Sequence, residues 1–208
     1  PPRSTLFPYT PLFRSPNSTI MGAISRSGQV KRIRPEYPVS KDEWIYMGLE
    51  DSDEVLCLVP APDEADAVLI SSTGQLLRTP GQKIRPQGTS GHGVAGMSVQ
   101  DGAVIAGTFT AEQDALVITV AALSTALPGT GQTSAKVTPL SEFPTKGRGG
   151  QGVRSQRFLK DEDCLEVAGV LADPRAVDSA GSPVELPDIN PKRDGSGSPL
   201  LNQIASIG

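Results

Sequence analysis

The pair Gly28-Gln29 returns as Gly74-Gln75, 46 residues on, and each pair runs into an arginine, Arg32 and Arg78. A second register links "GTSGHGV", starting at Gly88, to "GRGGQGV", starting at Gly147, 59 residues later. The same offset carries Pro80 onto Pro139. Self-similarity at such a period constrains the fold more than any other feature of the chain. One unit of this size exposes apolar faces, so neighbouring units must stack to bury them.

Three units can be laid out. The first opens "MGAISRSGQVKRI" (Met21 to Ile33) and the second "AVLISSTGQLLRT" (Ala67 to Thr79). The third opens "ALVITVAAL" at Ala115 and reaches "AKVTPLSEF" after a Gly-, Thr- and Ser-rich connection. Each closes with an acidic turn and an apolar strand: "DSDEVLCLV", "DGAVIAGTF", "DEDCLEVAGV". The unit reads as strand, Gly turn, strand, long loop, strand, acidic turn, strand, with no sustained helical period. The expectation is an all-β chain of propeller-like blades, each of four antiparallel strands, over about 20–63, 67–111 and 115–171. An ordinary β-sandwich is the alternative. The 22 Gly and 19 Pro favour turns, and an aromatic share of 4% leaves the core to Val, Leu, Ile and Ala.

Several site chemistries find no support. Gly91, Gly93 and Gly96 spell G-x-G-x-x-G, but "MSVQDGAVIAGTF" follows, which reads as strand, turn, strand. A dinucleotide site needs a helix there, whose N-terminal amides face the pyrophosphate. His92 is the only histidine and sits in a flexible glycine loop, so zinc has no ligand set. Cys57 and Cys164 occupy matching closing strands and read as buried thiols of a reducing compartment. No nucleophile, base and orienting group come together as an enzyme requires. No apolar run is long enough to span a membrane, and no signal-peptide pattern is present.

Both ends depart from the repeat. "STLFPYTPLFRS", from Ser4 to Ser15, closely resembles the translation of a common sequencing-library adapter. Residues 1–15, Tyr9 among them, are therefore expected not to be native. Residues 174–208 are rich in Pro, Gly and Ser and are expected to form a tail, partly docked at "PVELP" and loose afterwards.

The net charge is −4, yet its distribution follows the repeat. Cations collect on the second strand and long loop of each unit: Lys31, Arg32 and Arg34; Arg78, Lys83 and Arg85; Lys136, Lys146, Arg148, Arg154 and Arg157. The acids gather in the other segments. Stacked units would align those cations as one stripe, which attracts phosphate whatever the total charge. The bland reading is a set of solvated strand edges guarded against aggregation.

"GQVKRI", "GQLLRTP" and above all "KVTPLSEFPTKGRGGQGV" resemble blade motifs of the C-terminal domain of bacterial type IIA topoisomerase A subunits, of gyrase and topoisomerase IV. "RPEYP" with "KDEW", and "GVRSQRFLKDED", look closer to the topoisomerase IV-like subunits of actinobacteria. The resemblance covers about Ile20 to Val170 and the "PVELP" to "DGSGSPL" stretch. It implies a β-pinwheel that binds and bends double-stranded DNA along its rim, in the cytoplasm and away from any membrane. The eleven cations above would be its phosphate contacts. Its partners would be the ATPase B subunit and the remainder of the A subunit. Catalysis, ATP and magnesium would belong to those other domains, leaving no cofactor and no catalytic residue here. "KGRGGQG" (Lys146 to Gly152) partly resembles the basic box that gyrases need for wrapping, but it sits in the last unit and not the first. That leans toward relaxation and decatenation. Three units are fewer than the family carries, so the array is expected to be partial. A protein-interaction propeller working through its acidic turns is the competing reading.

Overall fold

The structure, a computed structural model, describes residues 19–35, 42–43, 45–127 and 131–208. The dodecamer Ser4 to Ser15 lies outside them. Among the described residues there are strands and two short 3-10 turns but no α-helix.

Each unit starts from a hairpin. β1 (Met21–Ser25) pairs with β2 (Gln29–Ile33), β4 (Asp66–Ser71) with β5 (Gln75–Pro80), and β8 (Leu116–Ala122) with β9 (Ser134–Pro139). Gly28 and Gly74 turn the first two hairpins at φ of +89° and +77°, a region that favours glycine. Their amides donate to the Ser25 and Ser71 carbonyls at 3.0 and 3.1 Å. The closing strands are β3 (Val55–Pro60), β7 (Val104–Thr110) and β11 (Cys164–Leu171). They lie against β1, β4 and β8, and all three bulge at one matching place, at Leu56, Ile105 and Glu166.

The fourth strand of each sheet comes from the unit that follows. β6 (Val94–Ala95) leaves the second unit to pair with β2 of the first, and β10 (Val153–Arg154) leaves the third to pair with β5. The sheet orders are β3-β1-β2-β6, β10-β5-β4-β7 and β11-β8-β9-β14. This corrects the expectation that a blade draws all four strands from one unit. A hairpin edge left bare presents unpaired amides and carbonyls, and the donated segment covers them. Gly96, Ser155 and Leu200, each within two residues of the start of a donated strand, donate to the carbonyls of Gly28, Gly74 and Thr133 at 2.8–2.9 Å.

The stretch expected to be a tail, partly docked at "PVELP" and loose afterwards, supplies β14 (Ser198–Pro199) and builds a fourth, three-stranded sheet. That sheet, in the order β13-β12-β15, consists of β12 (Ala176–Val177), β13 (Pro183–Val184) and β15 (Ser206–Ile207). Gly181 turns its hairpin at φ +81°, with its amide on the Asp178 carbonyl at 3.0 Å, as Gly28 and Gly74 do in theirs. Residues 174–208 are thus a degenerate fourth unit. Composition misleads here because the unit borrows its order from its neighbour instead of from a large core of its own.

The blades stack through both faces of their inner strands. On β4, Ala67 and Leu69 enter one cluster with Ile24, Val30 and Phe109, whereas Val68 and Ile70 enter the next with Val117, Leu140 and Phe143. Period-two alternation sends successive side chains to opposite faces, and here both faces are core. Each fully buried Leu or Ile contributes about 2 kcal/mol. The junction with the fourth sheet is thinner, built from Val120, Ala135, Ala176 and Ile204.

Arg32 and Arg78 stitch the stack. Arg32, 1% exposed, donates to the carbonyls of Ala61, Gly81 and Ile84 and pairs with Asp63 at 2.6 Å. Arg78 pairs with Asp66 at 2.6 Å and donates to Leu140 at 3.2 Å. Gly81 and Leu140 open the 3-10 turns of the next units, so each arginine clasps its successor.

This packing can be probed at two points. Thr79 Oγ1 and Thr138 Oγ1 are buried without a hydrogen-bond partner, at equivalent positions where the first unit has Ile33. Thr138→Val should therefore raise unfolding stability in urea by about 1 kcal/mol. Native-state hydrogen exchange should find the amides of Asn190, Leu200 and Ala205 protected, since they donate to Val137, Thr133 and Val177. A loose tail would exchange all three at once.

Candidate nucleic-acid interface

The long loops that carry the donated strands run from one blade across the next. Their register is set by one recurring bond. The amides of Gln87, Lys146 and Asn190 donate to the carbonyls of Arg32, Arg78 and Val137, each at 2.8 Å. Successive loops then touch. Gly149 donates to Gly96 at 2.6 Å, Ser98 to Gly150 at 3.0 Å, and Arg157 to Gly195 at 2.9 Å. The second, third and fourth loops therefore form one continuous strip.

The cations expected to line a single stripe separate into two groups. Arg34, Lys83, Arg85, Lys146, Arg148, Arg154 and Arg157 are exposed, and apart from Arg34, which follows β2, all sit on the loops. Lys31, Arg32 and Lys136 are buried at 1–2% exposure, and the Arg78 side chain keeps only 15%. These four point into the stack and spend their donors on carbonyls or carboxylates, so they are not surface phosphate contacts. The strand-borne positions fail because β2, β5 and β9 are covered on both faces, which residue type alone does not reveal.

Lys192 and Arg193 escape the sequence reading. They lie in the fourth loop, where composition suggests a tail; matching Asn190 to Lys146 is the signal that finds them. Lys192 is exposed, and Arg193 Nη1 donates to the Arg154 carbonyl at 3.1 Å. Glu185, Asp188 and Asp194 accompany them, so the third loop, with Glu142 as the acid of its stretch from Leu140 to Arg157, carries the strongest positive field.

The acids of two closing turns do structural work at the hairpin tips. Asp53 accepts from Ser27 N and Oγ at 2.8 and 2.6 Å, and Asp163 from Ser124 N and Oγ, both at 2.7 Å. Burial alone would raise Asp53, but hydrogen bonds from Ser25, Ser27 and Glu54 outweigh it and hold it below the usual carboxylate range. The Ser124 backbone and hydroxyl do the same for Asp163. Burial pushes the free thiols of Cys57 and Cys164 up to about 11, the Asp163 charge adding to the latter. They are poor nucleophiles at neutral pH. His92 is exposed, and the glycines around it lead into β6 and not into a helix. No helix among the described residues is long and apolar enough to cross a membrane.

The model of the DNA gyrase C-terminal domain, a β-propeller, matches residues 65–112 and 134–168. Topoisomerase subunit TopoM of Mycolicibacterium smegmatis is 31% identical over 112 residues, covering 52% of this chain and 14% of that protein. The DNA gyrase A protein of Mycobacterium leprae is 31% identical over 154 residues, 72% of this chain and 11% of that protein. The chain thus spans only a small part of these relatives. A crystal structure of the C-terminal domain of DNA topoisomerase IV superposes with a TM-score of 0.74 at 18% identity, over 92% of this chain and 61% of that one. A DNA gyrase A C-terminal domain gives 0.66 at 16% identity, over 91% and 64%. The strand-exchanged blades and their sequence place the chain in the family of C-terminal β-pinwheel domains of gyrase A and topoisomerase IV A subunits.

Buried Lys136 gives the stack a pH dependence. Burial lowers its pKa from 10.5 to about 8. Between those values the unfolded chain binds the extra proton, so stability rises with pH. From pH 8 to 10.5 the chain should gain on Lys136→Met by up to about 1.4 kcal/mol per pH unit in urea unfolding.

Proposed function

We propose that this domain binds and bends duplex DNA along the strip of loops, presenting it to a cleavage core carried elsewhere in the A subunit of an ATP-dependent type II topoisomerase. ATP and magnesium would act through the other domains and the B subunit, in the cytoplasm. The observation that carries this reading is the continuity of the strip. Arg148, Arg154 and Arg157 lie on one loop, bonded to the loops before and after it, with Lys83 and Arg85 on one side and Lys192 and Arg193 on the other. The strip offers no recognition helix and no aromatic platform among the described residues, so the contacts expected are to phosphates and not to base edges. The competing reading, a protein-binding surface of acidic turns, is less well supported, because Asp53 and Asp163 already cap their own hairpins.

A filter-binding salt titration tests the proposal. Affinity for duplex DNA should fall steeply with salt, and removing one cation–phosphate pair should flatten the log–log slope by about 0.9. Arg148→Ala and Arg154→Ala should each weaken binding of unrelated duplexes alike. An affinity indifferent to salt would rule the reading out.

A further inference from the structure

Lys31 on β2 and Lys136 on β9 occupy equivalent positions, two residues past Gln29 and Ser134, the hairpin residues that pair with the donated strands. Both are fully buried, and neither forms a salt bridge among the described residues. An ammonium so placed is costly unless its donors are satisfied. Lys31 Nζ donates to the carbonyls of Tyr46 at 2.5 Å, Thr89 at 3.0 Å and Gly91 at 2.7 Å. Lys136 Nζ donates to the carbonyls of Ser155 and, at 2.6 Å, Arg193. Tyr46 belongs to the first loop, Thr89 and Gly91 to the second, Ser155 to the third and Arg193 to the fourth. Each lysine therefore joins the loop of its own unit to the loop of the next.

Packing does not explain the lysines. The second unit has Leu77 at this position, fully buried, so the core accepts an aliphatic side chain there. At that junction two backbone bonds join the loops, Gly149 to Gly96 and Ser98 to Gly150, where the junction at Lys136 has one, Arg157 to Gly195. What Lys136 adds is a charged anchor for backbone at cation-bearing points. Ser155 lies between Arg154 and Arg157, and Arg193 is itself part of the strip.

We propose that Lys31 and Lys136 are positioning residues of the DNA-binding strip, fixing neighbouring loops so that their exposed cations meet one duplex together. This rests on the DNA-binding reading. The lysines touch no phosphate; Lys136 acts through Arg193, whose carbonyl it holds, and through Arg154 beside Ser155, whereas Lys31 acts by tethering the second loop at Thr89 and Gly91.

The test compares the whole chain with Lys136→Met, Lys136→Arg and Val117→Ala. Val117 is buried in the core between the second and third blades and bonds no loop, so its truncation reports loss of stability alone. Lys136→Met should weaken duplex binding at low salt by about tenfold and flatten the salt slope by one to two phosphate contacts, about 0.9 to 1.8. Hydrogen exchange at the Arg157 amide should accelerate in the same variant, since its bond to Gly195 crosses the loops that Lys136 ties. Lys136→Arg, which keeps cationic donors, should recover part of both losses, and Val117→Ala should leave affinity within about twofold. Should Lys136→Met fail to fold, Lys31→Met makes the same comparison on the first two loops. Wild-type affinity and slope in Lys136→Met, or an equal loss in Val117→Ala, overturns the inference while leaving DNA binding intact. Failure of the unaltered chain to bind duplex overturns both.

Discussion

A β-hairpin has two edges, and this architecture depends on how the second is covered. The closing strand of each unit takes one side; the other receives two residues lent by the following unit. So short a strand contributes few hydrogen bonds of its own. It stays because the loop that delivers it is anchored again, amide to carbonyl, at the far end of the hairpin. Every junction repeats that pair of anchors, so neighbouring blades cannot separate without stripping a strand. Stability in such an array is a chain of nearest-neighbour terms. The junction with the fourth sheet, with the smallest apolar cluster, is the natural first place to open.

The buried cations belong to the same logic. A loop crossing from one blade to the next leaves carbonyls facing inward with no strand to answer them. Arginine and lysine reach those carbonyls where a main-chain amide cannot. Arg32 and Arg78 serve the 3-10 turns, and Lys31 and Lys136 serve the loops. The first unit has both residue types, the second only the arginine, the third only the lysine. A cation one residue away on the same strand does different work because it faces a different carbonyl.

This explains what the sequence could and could not disclose. The hairpin turns were legible because a Gly at positive φ leaves an unmistakable mark, at Gly28 and Gly74. The inner strands were legible because "AVLIS" and "ALVITVAA" are apolar on both faces. Strand donation was not, since Val94-Ala95 has no period to read. Nor was the fate of "VKRI", where a strand buried on both faces hides lysine and arginine that elsewhere would be solvent-bound. The fourth unit is hard to see because its strands are two residues long and its loop is rich in Gly and Pro. Only its turn, Gly181 in "DSAGSPV", repeats the signal, and composition outweighs it.

The two kinds of charged residue lie side by side in the fold. The loop strip holds cations whose carboxylate neighbours are sparse over the second and third units. The hairpin tips of the first and third units hold Asp53 and Asp163, kept ionised by the very hydrogen bonds that shape the turns. The tips and the strip adjoin, since Gly28 and Gly74 at the first two tips accept from Gly96 and Ser155 of the strip, so on the DNA-binding reading a duplex would meet guanidinium groups bordered by fixed carboxylates. With a net charge of −4 the domain as a whole repels DNA weakly, and beyond a Debye length it offers no general attraction. On the DNA-binding reading, attraction would be confined to short range and to the strip. For a polyanion as uniform as DNA, such a bordered strip would supply the selection of path that base contacts supply in a sequence-specific protein.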